Sequence, residues 1–156
     1  MDIDRPAHDD LGIQLGLAYA AFVDRLNAEL HRRGFEVVGP SFGYVLRALA
    51  RSPMTASELA DGLHMTPQGA AKIVDDMEAA GYLERVPHPT DGRARQVRLA
   101  ARGTSAYRAA RQVHARLEQE LVDQLGPRRV ATMRIGLAAL AAAGDVDPAD
   151  RLLRPM

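Results

Sequence analysis

Residues 55–99 read TASELADGLHMTPQGAAKIVDDMEAAGYLERVPHPTDGRARQVRL, and the fold turns on this stretch. Thr55 with Glu58 three residues on is a capping box, in which hydroxyl and carboxylate each satisfy a free backbone N–H at a helix start. It opens a short helix from Ser57 to about Leu63, followed by a turn at His64-Met65. Thr66 then caps a second helix whose first residue is Pro67, a position that needs no backbone donor. That helix runs from Gln68 to Ala80 with Ala70, Ile73, Val74 and Met77 on its inner face, and Gly81 ends it. The period then changes. Tyr82–Val86 and Arg95–Leu99 are short β-type segments, and between them two prolines and Asp91-Gly92 mark a turn longer than a two-residue hairpin loop.

Helices flank this stretch on both sides. From Asp9 to Arg33, Leu11, Leu15, Ala18, Phe22, Leu26 and Leu30 recur at three- and four-residue steps, with Gly34 as the stop. Ile13, Leu17, Ala20, Ala21 and Val23 widen the stripe beyond one face, and in so short a chain a second copy most simply covers the excess. Ser41 is placed to cap a helix carrying Tyr44, Val45, Leu46, Ala48 and Leu49 to about Arg51, which Ser52-Pro53 breaks. Helical character returns after Gly103 and lasts to Leu125, with Tyr107, Ala110, Val113, Leu117 and Leu121 on one stripe. Gly126-Pro127 interrupts it. A last helix places Val130, Met133, Leu137 and Leu140 on one side, and the polar tail from Gly144 to Met156 reads as a loose end.

Composition excludes several classes. The chain has 156 residues, 47% apolar and 26% charged, which is ordinary for a folded domain. It has no Cys, so disulfides, thiolate zinc sites and a cysteine nucleophile are out. No apolar run approaches a membrane span and the acidic start MDIDRPAHDD is unlike a signal peptide, so the expected compartment is the cytoplasm. Aromatics at 4% with no Trp disfavour a stacking reader of single-stranded nucleic acid. The zero net charge hides an asymmetry: between Arg85 and Arg102 stand five Arg and one acid, Asp91, leaving net −4 on the rest of the chain. A basic hairpin on an otherwise acidic body is a local anion-binding element.

The order of elements is thus helix, short helix, tight turn, Pro-started helix, strand, basic turn, strand. This is a helix-turn-helix with a wing: the second helix is placed for the DNA major groove and the wing's arginines for the minor groove. Ala60–Thr66, Ile73–Arg85 and Asp91–Arg95 with Leu99 resemble the MarR family of winged-helix transcriptional regulators. The resemblance implies a mostly α fold with a small β-wing. It divides the chain into an N-terminal dimerisation helix (1–34), a winged helix-turn-helix (40–102) and C-terminal dimerisation helices (103–156), in an intertwined homodimer. It further implies a regulator of a pseudopalindromic operator, usually a repressor released by a small, often aromatic, ligand. Carried onto this sequence, Thr66, Gln68, Gly69 and Lys72 face DNA, Arg93 and Arg95 carry the wing, and Thr55 and Ser57 touch phosphate. Two departures stand out. Ala100 occupies a position where the family often has Thr, and Pro67, Gly69, Ala70 and Ala71 replace a more polar recognition face. Gln68 is left as the best single base reader, able to pair bidentately with adenine.

Other readings are weaker. Phe22, Phe42, Leu46 and Tyr107 are candidates for lining a ligand pocket, against the simpler reading that they are core. His114 and Glu118 lie one helical turn apart, but two ligands do not make a zinc site. No catalytic constellation, cofactor motif or metal site stands out. The rival function is a winged-helix module that binds a protein or metabolite without specific DNA binding, suggested by the Ala- and Gly-rich recognition face.

Overall fold

The computed structural model describes residues 10–143, so the tail from Gly144 lies outside the described residues. The chain divides into two compact units, residues 1–36 and 37–156.

The first unit is built on α1 (Leu11–Arg32). Asp10 caps it, its carboxylate accepting the N–H of Gly12 and of Ile13. At the other end Gly34 takes φ +82°, which lets Phe35 N–H donate to Leu30 O and Gly34 N–H to His31 O. This paired closure is the Schellman motif. Leu11, Ile13, Leu15, Leu17 and Tyr19 are all exposed on the helix, Leu17 by 63%.

The second unit holds α2 (Phe42–Leu49), α3 (Ala56–Gly62), α4 (Pro67–Ala79), β1 (Leu83–Pro87), β2 (Arg95–Leu99), α5 (Ala101–Leu125) and α6 (Pro127–Ala143). Its core gathers Phe42, Val45, Leu46, Leu59, Leu63, Val74, Met77, Tyr82 and Val113, all fully buried or nearly so. Burying each of these larger apolar side chains contributes roughly 1.5–3 kcal/mol. β1 and β2 form an antiparallel hairpin in the register Leu83↔Leu99, Glu84↔Arg98, Arg85↔Val97, Val86↔Gln96 and Pro87↔Arg95. The fold is therefore mostly helical with a small two-stranded wing, as the sequence pattern indicates.

Local chemistry accounts for most element ends. The capping box is complete: Glu58 N–H donates to the Thr55 hydroxyl, and Thr55 N–H donates to Glu58 Oε2 at 2.7 Å. Thr66 caps α4 through Gly69 N–H at 3.1 Å, with Pro67 in the first turn. Gly81 (φ +78°) closes α4, with Tyr82 N–H donating to Met77 O and Gly81 N–H to Glu78 O.

Two local readings, the Ser41 cap and the extent of α5, need correction, and two contacts between distant positions add to them. Ser41 precedes α2 in helical geometry and makes no side-chain capping bond; it is itself buried. α5 starts at Ala101, not after Gly103, and its buried stripe runs Gly103, Ala106, Ala109, Val113 and Leu117. Gly103 is needed for space: a Cβ there would sit 2.1 Å from the Tyr82 carbonyl oxygen. Finally, Met54 pairs with Val97 as a one-residue bridge, with Val97 N–H donating to Met54 O at 2.7 Å and Met54 N–H to Val97 O at 3.0 Å. The wing is thereby tied to the residue that leads into α3.

Candidate nucleic-acid interface

α3, the turn and α4 form the helix pair. At the turn His64 takes φ +51°, and Met65 N–H donates to Ala60 O while His64 N–H donates to Asp61 O. This is the same closure that Gly34 and Gly81 make, with His in the left-handed position. It points the chain directly into the Thr66 cap. On α4, Ala70, Val74 and Met77 are buried, while Pro67, Gln68 and Lys72 face solvent. The polar side chains that the sequence assigns to DNA contact are therefore available on the helix's outer face.

Three of the side chains assigned to DNA contact already have work within the chain. The Thr66 hydroxyl is held by Gly69 N–H, and a Cβ on Gly69 would lie 3.2 Å from it. Thr55 is half-buried and its hydroxyl serves the capping box, whereas Ser57 is exposed. The Glu58 carboxyl is held below its ordinary value, chiefly by the backbone N–H of Thr55 and then by its hydroxyl. Lys72 Nζ donates to Asp76 Oδ2 at 2.8 Å, and this contact holds the ammonium above its ordinary value. The pair is exposed on both sides, so it is worth little.

The five arginines between positions 85 and 102 sort into two groups. Arg85 is engaged by Asp75 and Glu78 of α4. Arg98 Nε donates to Glu84 Oε1 at 2.7 Å, the residue directly across the ladder. Arg102 lies over the Tyr82 ring, 4.8 Å from its centre, and donates to the Tyr82 hydroxyl at 3.2 Å. Arg93 and Arg95 are exposed, and neither guanidinium has an ion-pair partner among the described residues. The turn between the strands is ordered by Asp91, whose carboxylate accepts Arg93 N–H at 3.0 Å. His88 adds to this, its Nδ1 accepting from the backbone N–H of Thr90 and Asp91. The excess positive charge of the segment thus concentrates at the wing tip.

The four candidate pocket residues divide by burial. Phe42 and Leu46 are 2% and 1% exposed, and the Phe42 ring meets Tyr82 edge-on at 4.9 Å. Tyr107 is half-buried in the second unit and Phe22 half-buried in the first. His114 on α5 titrates below its ordinary value, because of desolvation first and then the positive charges of Arg47 and Arg111. Among the described residues no group of three or more His, Asp or Glu is arranged to hold a metal ion. No described helix is long and apolar enough to cross a membrane.

A capped short helix, a tight turn, a Pro-started helix with a polar outer face and a hairpin with a basic tip define a winged helix-turn-helix protein. Residues 43–94 match the model of the MarR family of winged-helix transcriptional regulators. The chain is similar to the exopolysaccharide II synthesis transcriptional activator ExpG of Rhizobium meliloti (strain 1021). They are 27% identical over 100 residues, covering 64% of this chain and 52% of that protein. The chain therefore matches about half the length of that curated relative. Among solved structures, Mycobacterium tuberculosis RV1404 shares the fold at TM-score 0.71 and 23% identity, over 92% of this chain and 98% of that one. An E. coli MarR mutant complexed with operator DNA superposes at TM-score 0.65 and 25% identity, over 83% of this chain and 92% of that one.

Proposed function

We propose that the chain is a homodimeric, sequence-specific regulator that binds a pseudopalindromic duplex operator and represses until a small ligand releases it. The observation that carries this is the pairing of an exposed α4 N-terminal turn with a wing tip whose two guanidiniums have no ion-pair partner among the described residues. The helix presents Gln68 and Lys72 to base edges and phosphate, with Thr66 and Gly69 forming its positive end. Arg93 and Arg95 reach the adjacent minor groove, whose negative potential favours arginine. Thr55 and Ser57 begin the preceding helix, which crosses the backbone. The similarity to a MarR protein complexed with operator DNA supports the same reading.

The dimer is supported by the apolar side chains that α1 and α6 each leave in water, among them Leu17 and Ile135 at 63% and 71% exposure. Large apolar side chains left exposed on a helix in this number mark an interface. The three-part division into residues 1–34, 40–102 and 103–156 fits this dimer. Two recognition helices about 34–36 Å apart enter successive major grooves. A ligand that favours another spacing shifts the population off DNA by its differential affinity. Because the curated relative is an activator, the sign of control is tested separately, by operator position relative to the promoter.

The direct test is selection of bound sequences from a random duplex pool at two salt concentrations. The expected result is an inverted repeat with half-sites one helical turn apart. Salt-labile binding with no motif supports the interaction-module reading instead, which the Ala- and Gly-rich outer face of α4 favours.

A further inference from the structure

We propose that Arg85 is a positioning residue for DNA recognition: from β1 it grips Asp75 and Glu78 of α4, holding the recognition helix in register with the wing while touching no DNA itself. This rests on the DNA-binding reading above.

Asp75 and Glu78 are three residues apart and so are neighbours on one helix face. Arg85 Nη2 donates to Asp75 Oδ1 at 2.5 Å and Nη1 donates to Glu78 Oε2. One planar fork thus spans two carboxylates, a geometry that arginine provides and lysine does not. The Arg85 and Glu78 side chains are about one third exposed, so solvent screens this pair less than the Lys72–Asp76 pair. These contacts hold the guanidinium above its ordinary value.

The far side of the ladder explains why the grip matters. Arg85 stands opposite Val97, and Val97 is bonded to Met54 at the entrance to α3. The wing is therefore anchored at two places, to the lead into α3 by backbone and to α4 by Arg85. The apolar face of α4 sets its depth, since Ala70, Val74 and Met77 are buried. The ion pairs restrain its rotation and slide from a second direction. Gln68 lies seven residues ahead of Asp75, about 10 Å along the axis, so a small pivot at the clamp displaces the reading side chain. The clamp also acts on charge. α4 carries Lys72 against Asp75, Asp76 and Glu78, net −2, which is unfavourable in a groove walled by phosphate. Arg85 offsets one of those charges.

The test uses the full chain and a duplex recovered by the selection, with a scrambled duplex as reference. Arg85→Met, Asp75→Asn with Glu78→Gln, and the triple variant are compared with Arg93→Ala across a salt series, after thermal melts confirm folding. Arg85→Met is expected to lower selectivity for the selected duplex by about tenfold, with the salt slope unchanged because no phosphate contact is lost. The Asp75→Asn/Glu78→Gln pair is expected to lower selectivity likewise while strengthening binding to the scrambled duplex, since two negative charges are gone. This pair keeps the proposal testable if Arg85→Met fails to fold. In the background lacking both carboxylates, Arg85→Met is expected to change selectivity by less than about twofold. A salt slope reduced by about one in Arg85→Met, as expected for Arg93→Ala, makes Arg85 a phosphate contact and overturns the proposal. Equal losses in both backgrounds, or undiminished selectivity in the folded carboxylate pair, overturn it as well. If the wild-type chain prefers no duplex at all, the DNA-binding reading has failed, not the clamp alone.

Discussion

Gly103 lies against the carbonyl of Tyr82 so closely that a Cβ on Gly103 would fall 2.1 Å from that oxygen and 3.1 Å from the carbonyl carbon. Both neighbours belong to backbone, which has no flexible end to move aside. The same Tyr82 carbonyl accepts Ala100 N–H at 2.9 Å, so the start of α5 is seated on the junction between α4 and β1. In an open helical position, exchanging Gly for Ala stabilises by about 1 kcal/mol. Here Gly103→Ala is expected to destabilise by about 1–3 kcal/mol, the usual cost of overpacking. The sign of the change in denaturant midpoint decides the point, and a gain in stability would refute the close approach.

Ala100 caps α5 in extended geometry (φ −71°, ψ 173°) with no side-chain bond to the free N–H groups of the first turn. The backbone is already in the conformation a hydroxyl cap requires. Ala100→Thr or Ala100→Ser is therefore expected to stabilise by about 0.5–2 kcal/mol. For a domain of this size each kcal/mol raises Tm by roughly 2–4 °C, readable by calorimetry. No increase in either variant would mean that the helix start is not accessible to a side-chain cap.

His114 titrates below its ordinary value of 6.5, through desolvation and then the charges of Arg47 and Arg111. Between the lowered folded value and 6.5 the unfolded chain binds more protons than the folded one. Stability therefore rises with pH through that window and is lost as pH falls through it. His114→Gln is expected to remove this part of the pH dependence, leaving a flatter curve of denaturant midpoint against pH below about 6.5. Parallel curves for the two proteins would show that His114 is not depressed.

Ile135 on α6 is 71% exposed in the single chain, and Met133, Leu137 and Leu140 are exposed elsewhere around the same helix. If this face is a subunit interface, a charge there must be desolvated without a partner, which costs several kcal/mol. Ile135→Glu is expected to shift the chain from dimer to monomer in analytical ultracentrifugation while its helical content is retained. A dimer of undiminished affinity would place the interface elsewhere.

Arg93 and Gln68 test the two halves of the proposed DNA surface. Arg93→Ala is expected to weaken operator binding about tenfold or more and to reduce the salt slope by about one, with the dimer intact. A loss under about twofold removes the wing tip from the interface. Gln68→Ala is expected to relax preference at one base pair by about 1–3 kcal/mol. An unchanged preference profile moves readout from base edges to groove shape.

Most of the helix-turn-helix is legible along the chain because its signals are local. The Thr55–Glu58 box, the Thr66 cap with Pro67, and the glycines at 34 and 81 each act within a few residues of where they stand. The hairpin is legible for the same reason. Its strands alternate, and Pro, Asp and Gly mark the turn between them. His64 escaped this logic: it makes a glycine-type helix ending without glycine, so no residue type announces it.

Contacts between distant positions set the rest. The local pattern around Gly103 suggests a helix start, yet the residue is small because Tyr82, 21 positions earlier, passes against it. Met54 carries no strand pattern, because one paired residue has no period to display. Composition marked residues 85–102 as a block of five arginines. Folding divided them, since Arg85 found Asp75 and Glu78, Arg98 found Glu84 across the ladder, and Arg102 found the Tyr82 ring. Short-range signals of this kind depend on backbone geometry that one helical turn or one tight turn contains, so the residue order specifies them. Charge pairing and close packing depend on which side chains the packed elements bring within a few ångströms of one another. That is why the wing's positive end came down to Arg93 and Arg95 only once the helices and strands were in place.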